Sequence, residues 1–377
     1  MRRETLVPRA DWREKCEAIG FYFHSQDGVY WDESACYRFS AQQIDTLEAA
    51  TAELHTMCLE VVDRVVRERR FECFALPPGY AAYVAESWHR RQRSLFGRFD
   101  LRYDGKRAPK LLEYNADTPT SLIEASVAQW YWLTEVRKCA DQFNSLHEKL
   151  IARWQALHAD LAIGPVVHFT CVKDSVEDRC NLEYLIDTAL QANIEARVIA
   201  IEDLGWDDQR ACFVDLDDRP LIALCKLYPW EWMAREAFGP NLLRSQLRVI
   251  EPAWKMLLSN KAILPLLWEM FPDHPNLLPA YWQDGKIDGP SVKKPLFARE
   301  GANIAIRGID IQIASKDHGY GAEGYVYQAF DAPPDFGGGY PVIGSWIVGD
   351  EPAGIGIRED RGLITCNTSR FVPHYFE

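Results

Sequence analysis

Three features predict a mixed α/β and α+β protein of two or three lobes. The centre of the chain reads strand, helix, strand; its last part is a run of short strands punctuated by glycine; and 377 residues are too many for one compact core. A hydrophobic fraction of 47% with 26% charged residues is ordinary for globular proteins, which argues against disorder. No window approaches the roughly 18 apolar residues of a membrane helix, so no membrane association is expected.

The elements follow in order. From Ser40, a candidate N-cap, residues Ile44, Leu47, Leu54, Met57, Val61 and Val65 recur on one helical stripe. Residues 97–117, GRFDLRYDGKRAPKLLEYNAD, read as a hairpin, with Phe99, Leu101 and Tyr103 alternating, a turn at Asp104 and Gly105, and a return strand over 110–114. A helical region is expected over 121–161, rich in Trp130, Trp132, Leu133, Leu150 and Trp154. The run PVVHFTC at 165–171, a helix over 176–192 and a strand over 194–201 form a βαβ unit, extended by a further strand at 221–227. A helix is expected near 247–271. Beyond it, glycines at Gly319, Gly321, Gly324 and 337–339 separate the short strands of an antiparallel lobe.

Composition limits the function. A net charge of -13 disfavours nucleic acid, because phosphate backbones need a basic face. It is compatible with a cationic substrate such as a polyamine, although solubility alone explains it. The ten cysteines include no C-x-x-C and read as reduced, mostly buried thiols. The opening MRRETLVPRADWREK has basic residues without an apolar h-region, so the cytoplasm is the expected location.

The hairpin carries the most informative chemistry. Glu113 and Asn115 share a face because strand side chains repeat every two residues, and Asp100 lies on the neighbouring strand. Two carboxylates and an amide oxygen are hard ligands suited to Mg²⁺ shared with substrate phosphates; the plain alternative is a solvated hairpin with surface charges. Lys261, Lys294 and Arg358 supply cations of the kind that phosphoryl transfer requires. Lys261 borders the apolar AILPLLW, where an ammonium needs a partner unless it snorkels to water.

In KKPLFAREGANI, Arg299, Gly301 and Asn303 suit a lid over phosphates, or an ordinary turn. Glu177 and Asp178 open the helix after PVVHFTC, where the macrodipole alone favours acids; recognition of a cationic amine is the functional reading. GYGAEG at 319–324 matches G-x-G-x-x-G but lacks a preceding buried strand and a following helix, so a dinucleotide site is rejected. No Walker A, H-E-x-x-H, G-x-S-x-G or Cys-His metal spacing is present.

Taken together and in this order, Asp100, EYNAD, the Lys261 segment, VKKP and GIGIRED resemble the synthetase domain of the glutathionylspermidine synthase family over nearly the whole chain. The resemblance implies a permuted ATP-grasp fold with an additional small α/β substrate lobe. In that layout residues 1–80 are a helical segment packed on the core, and 81–162 are the metal-binding part. Residues 163–245 are the substrate lobe, and 246–377 are the nucleotide lobe with its lid.

The resemblance further implies ATP and two Mg²⁺ ions. Asp100, Glu113 and Asn115 would hold the metal, and Lys261 and Lys294 the phosphates. Arg98 and Arg358 would face the transferred phosphoryl group, and Gln328 would contact the adenine. Arg299, Gly301 and Asn303 complete the nucleotide set. Thr118 and Thr120 would serve the acid, and Glu177 and Asp178 the amine. The implied activity is ATP-dependent joining of a carboxylic acid, a peptide such as glutathione, to a polyamine-like amine through an acyl-phosphate. Bifunctional members carry an N-terminal amidase domain that these residues do not resemble, so amide hydrolysis is not expected. A homodimer is left open. The competing readings are a glycoside hydrolase, suggested by abundant acids and 13 tryptophans, and a non-catalytic nucleotide-binding protein of the same fold.

Overall fold

The computed structural model describes residues 1–26, 28–159, 164–309, 313–315 and 319–377. Its longest element is the helix Ala41–Glu68. Ser40 caps it: the Ser40 hydroxyl accepts from the Gln43 amide while the Gln43 side chain returns to the Ser40 amide. All six residues of the expected stripe are buried, and they pack against a five-stranded antiparallel sheet through Ile343, Ile347, Ile355 and Ile357.

That sheet is ordered Arg370–Phe371, Glu351–Asp360, Tyr340–Val348, Phe96–Arg102, Lys110–Asn115. The last two strands are the expected hairpin, with Asp100 opposite Glu113 and Arg98 opposite Asn115. Facing it is a second antiparallel sheet ordered Ala280–Tyr281, Tyr325–Ala329, Ser291–Pro295, Ala305–Arg307, Ile313–Ala314. A third sheet, Arg248–Ile250, Ala223–Lys226, Val166–Thr170, Glu195–Val198, is wholly parallel and is flanked by the helix Val176–Gln191. Among the described residues no helix is long and apolar enough to cross a membrane, and all ten cysteines are free thiols.

Several expected elements differ. The helical region at 121–161 is a π-helical turn, Glu124–Ala128, running into Gln129–Val136, then a break, then Leu146–Ala159; its expected end lies outside the described residues. The break has a cause. The amide of Ile355 donates to Phe143 and that of Ser145 to Ala353, so this stretch joins the edge of a sheet strand instead of closing helical turns.

The helix at 247–271 begins instead as the strand Arg248–Ile250. Past Pro252 it divides into Met256–Ser259 and Ile263–Met270, interrupted at the extended Asn260, whose side chain bonds the Phe74 carbonyl and the Ala262 amide. The amino-terminal residues are not only helical. Arg2–Thr5 and Ala35–Phe39 pair with each other, and His374–Phe376 adds to them in parallel. Glu359, fully buried, gathers Arg3, Tyr37 and Arg370 and so fastens these strands to the central sheet.

Ser40→Ala should lower the unfolding free energy by about 1 kcal/mol. A lower urea midpoint at unchanged m-value is the expected result.

Candidate active site

The site grows from the alternation of the hairpin strands. Phe99 and Leu101 enter the core, which turns Arg98 and Asp100 to the opposite face, where Glu113 and Asn115 also lie. The same face of the adjacent strand carries Gly344, the cross-strand neighbour of Asp100. A Cβ there would come within 2.8 Å of the Arg98 side chain, so the missing side chain is what lets Arg98 lie flat along the sheet. Its Nε donates to Asp100 Oδ1 at 2.8 Å and its Nη1 to the Thr120 carbonyl at 2.7 Å. Arg358 reaches Asp100 Oδ2 at 3.1 Å from the far strand. One buried carboxylate thus faces two guanidinium groups.

Glu113 is held in the same way by the second sheet and the helices behind it. Lys261 Nζ lies 2.9 Å from Glu113 Oε2, and Asn115 Nδ2 lies 3.2 Å from Oε1. Burial opposes ionisation, but Lys261 and then Lys294 outweigh it and hold the carboxyl down at about 2. Lys294 donates to the Leu112 carbonyl at 2.9 Å and to Gln328 Oε1 at 2.6 Å. Its burial lowers the ammonium to about 8, with Glu113 opposing the shift. Gln328 uses its other end on the Leu111 carbonyl at 2.9 Å.

Two clefts meet at these charges. The first, with about 790 Å³ of space open to solvent, lies between the antiparallel sheets. It is apolar at Leu112, Val292, Ile306, Phe330 and Val342 and charged at Asp100, Arg102, Glu113, Lys294, Glu300, Asp331 and Arg358, a lining that suits a ligand with both an apolar and a charged part. The second, of about 750 Å³, runs toward the parallel sheet past Arg98, Thr118, Thr120, Asp178 and Arg299. Glu113, Glu300 and Arg358 line both.

Glu177 and Asp178 sit at the capped start of Val176–Gln191. Burial raises both above the usual carboxylate range. Glu177 is raised further by Asp178 and then by Glu300, and Asp178 by Glu300; the Thr120 hydroxyl and Arg358 offset the rise at Glu177, and the Ser175 hydroxyl and Arg299 offset it at Asp178. Of the expected residues, Asp100, Lys294, Gly301 and Gln328 line the first cleft, Arg98, Asn115, Thr118, Thr120, Asp178 and Arg299 the second, and Glu113 and Arg358 both; Lys261, Glu177 and Asn303 line neither.

Arg299 differs in orientation from the expectation of a nucleotide contact. It lines the second cleft, and Nε, Nη1 and Nη2 are engaged by Glu231 and Thr118. Gly301 lines the first cleft, and Asn303 Nδ2 bonds the Tyr320 carbonyl at 3.1 Å. Sequence reasoning missed Glu300 and Glu231. Glu300 adjoins a residue already singled out, whereas PWEWM around Glu231 carries no motif.

The donor set fits Mg²⁺ better than a metal held by protein alone. No cluster of three or more His, Cys, Asp or Glu capable of holding an ion occurs among the described residues. An ion at Asp100, Glu113 and Asn115 would share its coordination with substrate oxygens, as Mg²⁺ characteristically does with phosphates.

A family model described as glutathionylspermidine synthase preATP-grasp matches residues 3–377. A Haemophilus influenzae protein named as a candidate acid–amine ligase is 41% identical, with all of both chains covered. The bifunctional glutathionylspermidine synthetase/amidase of Escherichia coli is 29% identical over 89% of this chain and 58% of its own length. Trypanothione synthetase of Crithidia fasciculata is 26% identical over 85% and 53%. The chain thus spans little more than half of these two longer relatives. Among solved structures, a glutathione synthetase-like effector from Globodera pallida aligns with a TM-score of 0.57 at 11% identity, covering 99% of this chain and 98% of that one. This likeness concerns the fold alone.

Because the folded-state pKa of Glu113 is depressed, its ionised form contributes stability that is complete above the unfolded value near 4.5 and is lost as pH falls toward 2. Glu113→Gln should therefore be less stable than wild type at pH 7, and the gap should narrow steadily below about pH 4.5. Urea titrations of both proteins between pH 3 and 7 test this, and a gap independent of pH would contradict it.

Proposed function

The chain belongs to the glutathionylspermidine synthase family, and from that premise we propose that it is an ATP-dependent acid–amine ligase with a permuted ATP-grasp core. The observation that supports this reading is the meeting of two clefts at Glu113 and Arg358, where Asp100 is paired with Arg98 and Arg358 and Glu113 with Lys261. The apolar cleft takes ATP, with Gln328 toward the base and Lys261 and Lys294 on the phosphates. Gly301 and Asn303 cover it from the 299–303 loop. The second cleft takes the acid near Thr118 and Thr120 and the amine near Glu177 and Asp178. A peptide acid of the glutathione kind and a polyamine-like amine are the proposed substrate classes.

The substrate carboxylate attacks the γ-phosphorus in line; the new P–O bond forms as the bond to ADP breaks, giving an acyl-phosphate. Arg98 and Arg358 face the spreading charge on the transferred group. Mg²⁺, two ions on this reading, would be held by Asp100, Glu113 and Asn115 and neutralises phosphate oxygens when bound. The amine then attacks the acyl carbon and expels phosphate, leaving an amide.

An ammonium must first lose a proton to become nucleophilic. Glu177 and Asp178, both held above the usual carboxylate range, are suited to take it.

Incubation with Mg²⁺, ATP, a panel of peptide carboxylates and hydroxylamine should yield hydroxamate and ADP in equal amounts. Glu113→Gln should abolish the yield, and Arg358→Ala should cut the rate by about 10²–10³. If ATP binds but no acid and amine mixture gives turnover, the protein is a nucleotide-binding module and the ligase reading is wrong.

A further inference from the structure

Arg299 spans three parts of the fold with a single guanidinium. It starts from the turn that follows the strand Ser291–Pro295, a turn seated on the far wall of the nucleotide cleft. Gly301, at φ +70°, lies so close there that a Cβ would come within 2.4 Å of the Thr365 carbonyl oxygen. Its side chain runs the other way. Nε and Nη2 donate to Glu231 Oε1 at 3.0 and 2.9 Å, and Nη1 donates to the Thr118 hydroxyl at 2.8 Å.

Glu231 is itself fixed. It lies in the short helix Trp230–Met233, whose first amide donates to Asp117 Oδ2 at 2.8 Å. The other oxygen of Asp117 pairs with Lys226, and both side chains are almost wholly buried. Asp117 and Thr118 are consecutive, so the hairpin end grips both sides of the junction: Thr118 holds Arg299, and Asp117 holds the turn that presents Glu231. A carboxylate of the parallel-sheet lobe, with only 8% of its side chain exposed, thereby sets where the 299–303 turn sits over the nucleotide cleft.

We infer that Glu231 is a positioning residue. Without touching any reactant, it anchors Arg299 so that the turn bearing Glu300 and Gly301 closes on nucleotide only while the substrate lobe is docked on the 117–118 segment. The inference rests on the nucleotide reading of the first cleft. It makes the substrate lobe part of the nucleotide-retaining machinery, and it gives Arg299 a structural partner in place of a phosphate.

The test is calorimetric titration of the full chain with Mg²⁺ and a non-hydrolysable ATP analogue, across a double-mutant cycle. Glu231→Gln and Arg299→Ala should each weaken binding about tenfold, the usual cost of losing one charged, largely buried hydrogen-bond partner. The double variant should bind no more weakly than Arg299→Ala, because both lesions cut the same link. Glu231→Asp should retain most of the affinity. Thr118→Val, which leaves the short helix untouched, should weaken binding in the same direction. Amide exchange over 299–303 should quicken in the ligand-free Glu231→Gln protein.

Wild-type affinity and exchange in Glu231→Gln, or full additivity with Arg299→Ala, would refute this role and leave the ligase reading intact. A wild-type chain that binds no nucleotide would remove both.

Discussion

The structure depends on keeping ionised carboxylates out of water. Asp100 is almost wholly enclosed and Glu113 largely so, and a charge in such a place is tolerated only when it is paired and hydrogen-bonded. Arg98 lies on the same strand as Asp100, but the other partners come from far along the chain: Arg358 from the opposite side of the sheet, and Lys261 and Lys294 from beyond the hairpin. Removing a partner leaves each carboxylate less well compensated. The sheets therefore have to meet, and the place where they meet is the place where phosphate chemistry is possible.

The same arrangement bears on the ligase reading proposed above. In the structure described, each acid is satisfied by a base. On the proposed ligase reading, a polyphosphate with its counter-ion carries the same two kinds of charge, so the cations would be free to hold phosphate oxygens and the carboxylates to hold metal. That exchange of partners would require little reorganisation, because the groups are already fixed where the charge would develop.

Much of this was legible in the sequence, and the reasons are local. The hairpin could be read because alternation and an Asp-Gly turn are short-range signals, and the long helix because its stripe and Ser40 cap are as well. The roles proposed for Lys261, Lys294 and Arg358 rest on the order of several motifs, since one basic residue has no characteristic neighbourhood. What escaped notice was long-range. The break between Val136 and Leu146 is set by hydrogen bonds to residues 353–355, and the strand Arg248–Ile250 is set by pairing with Ala223–Lys226. The amino-terminal strands find their third partner at His374–Phe376. Glu231 acquires meaning only from a guanidinium 68 positions away in the chain. Periodicity carries no information about such partners.

The central sheet places Phe96–Arg102 against Tyr340–Val348. During synthesis the hairpin that bears Asp100 and Glu113 leaves the ribosome long before the segments that carry Lys261, Lys294 and Arg358 have been made. Closing so long a loop is entropically slow, and proteins dominated by such pairings fold late. For most of translation the carboxylates of Asp100 and Glu113 must therefore remain hydrated, and the nascent polypeptide cannot bury them fully until its last quarter has emerged.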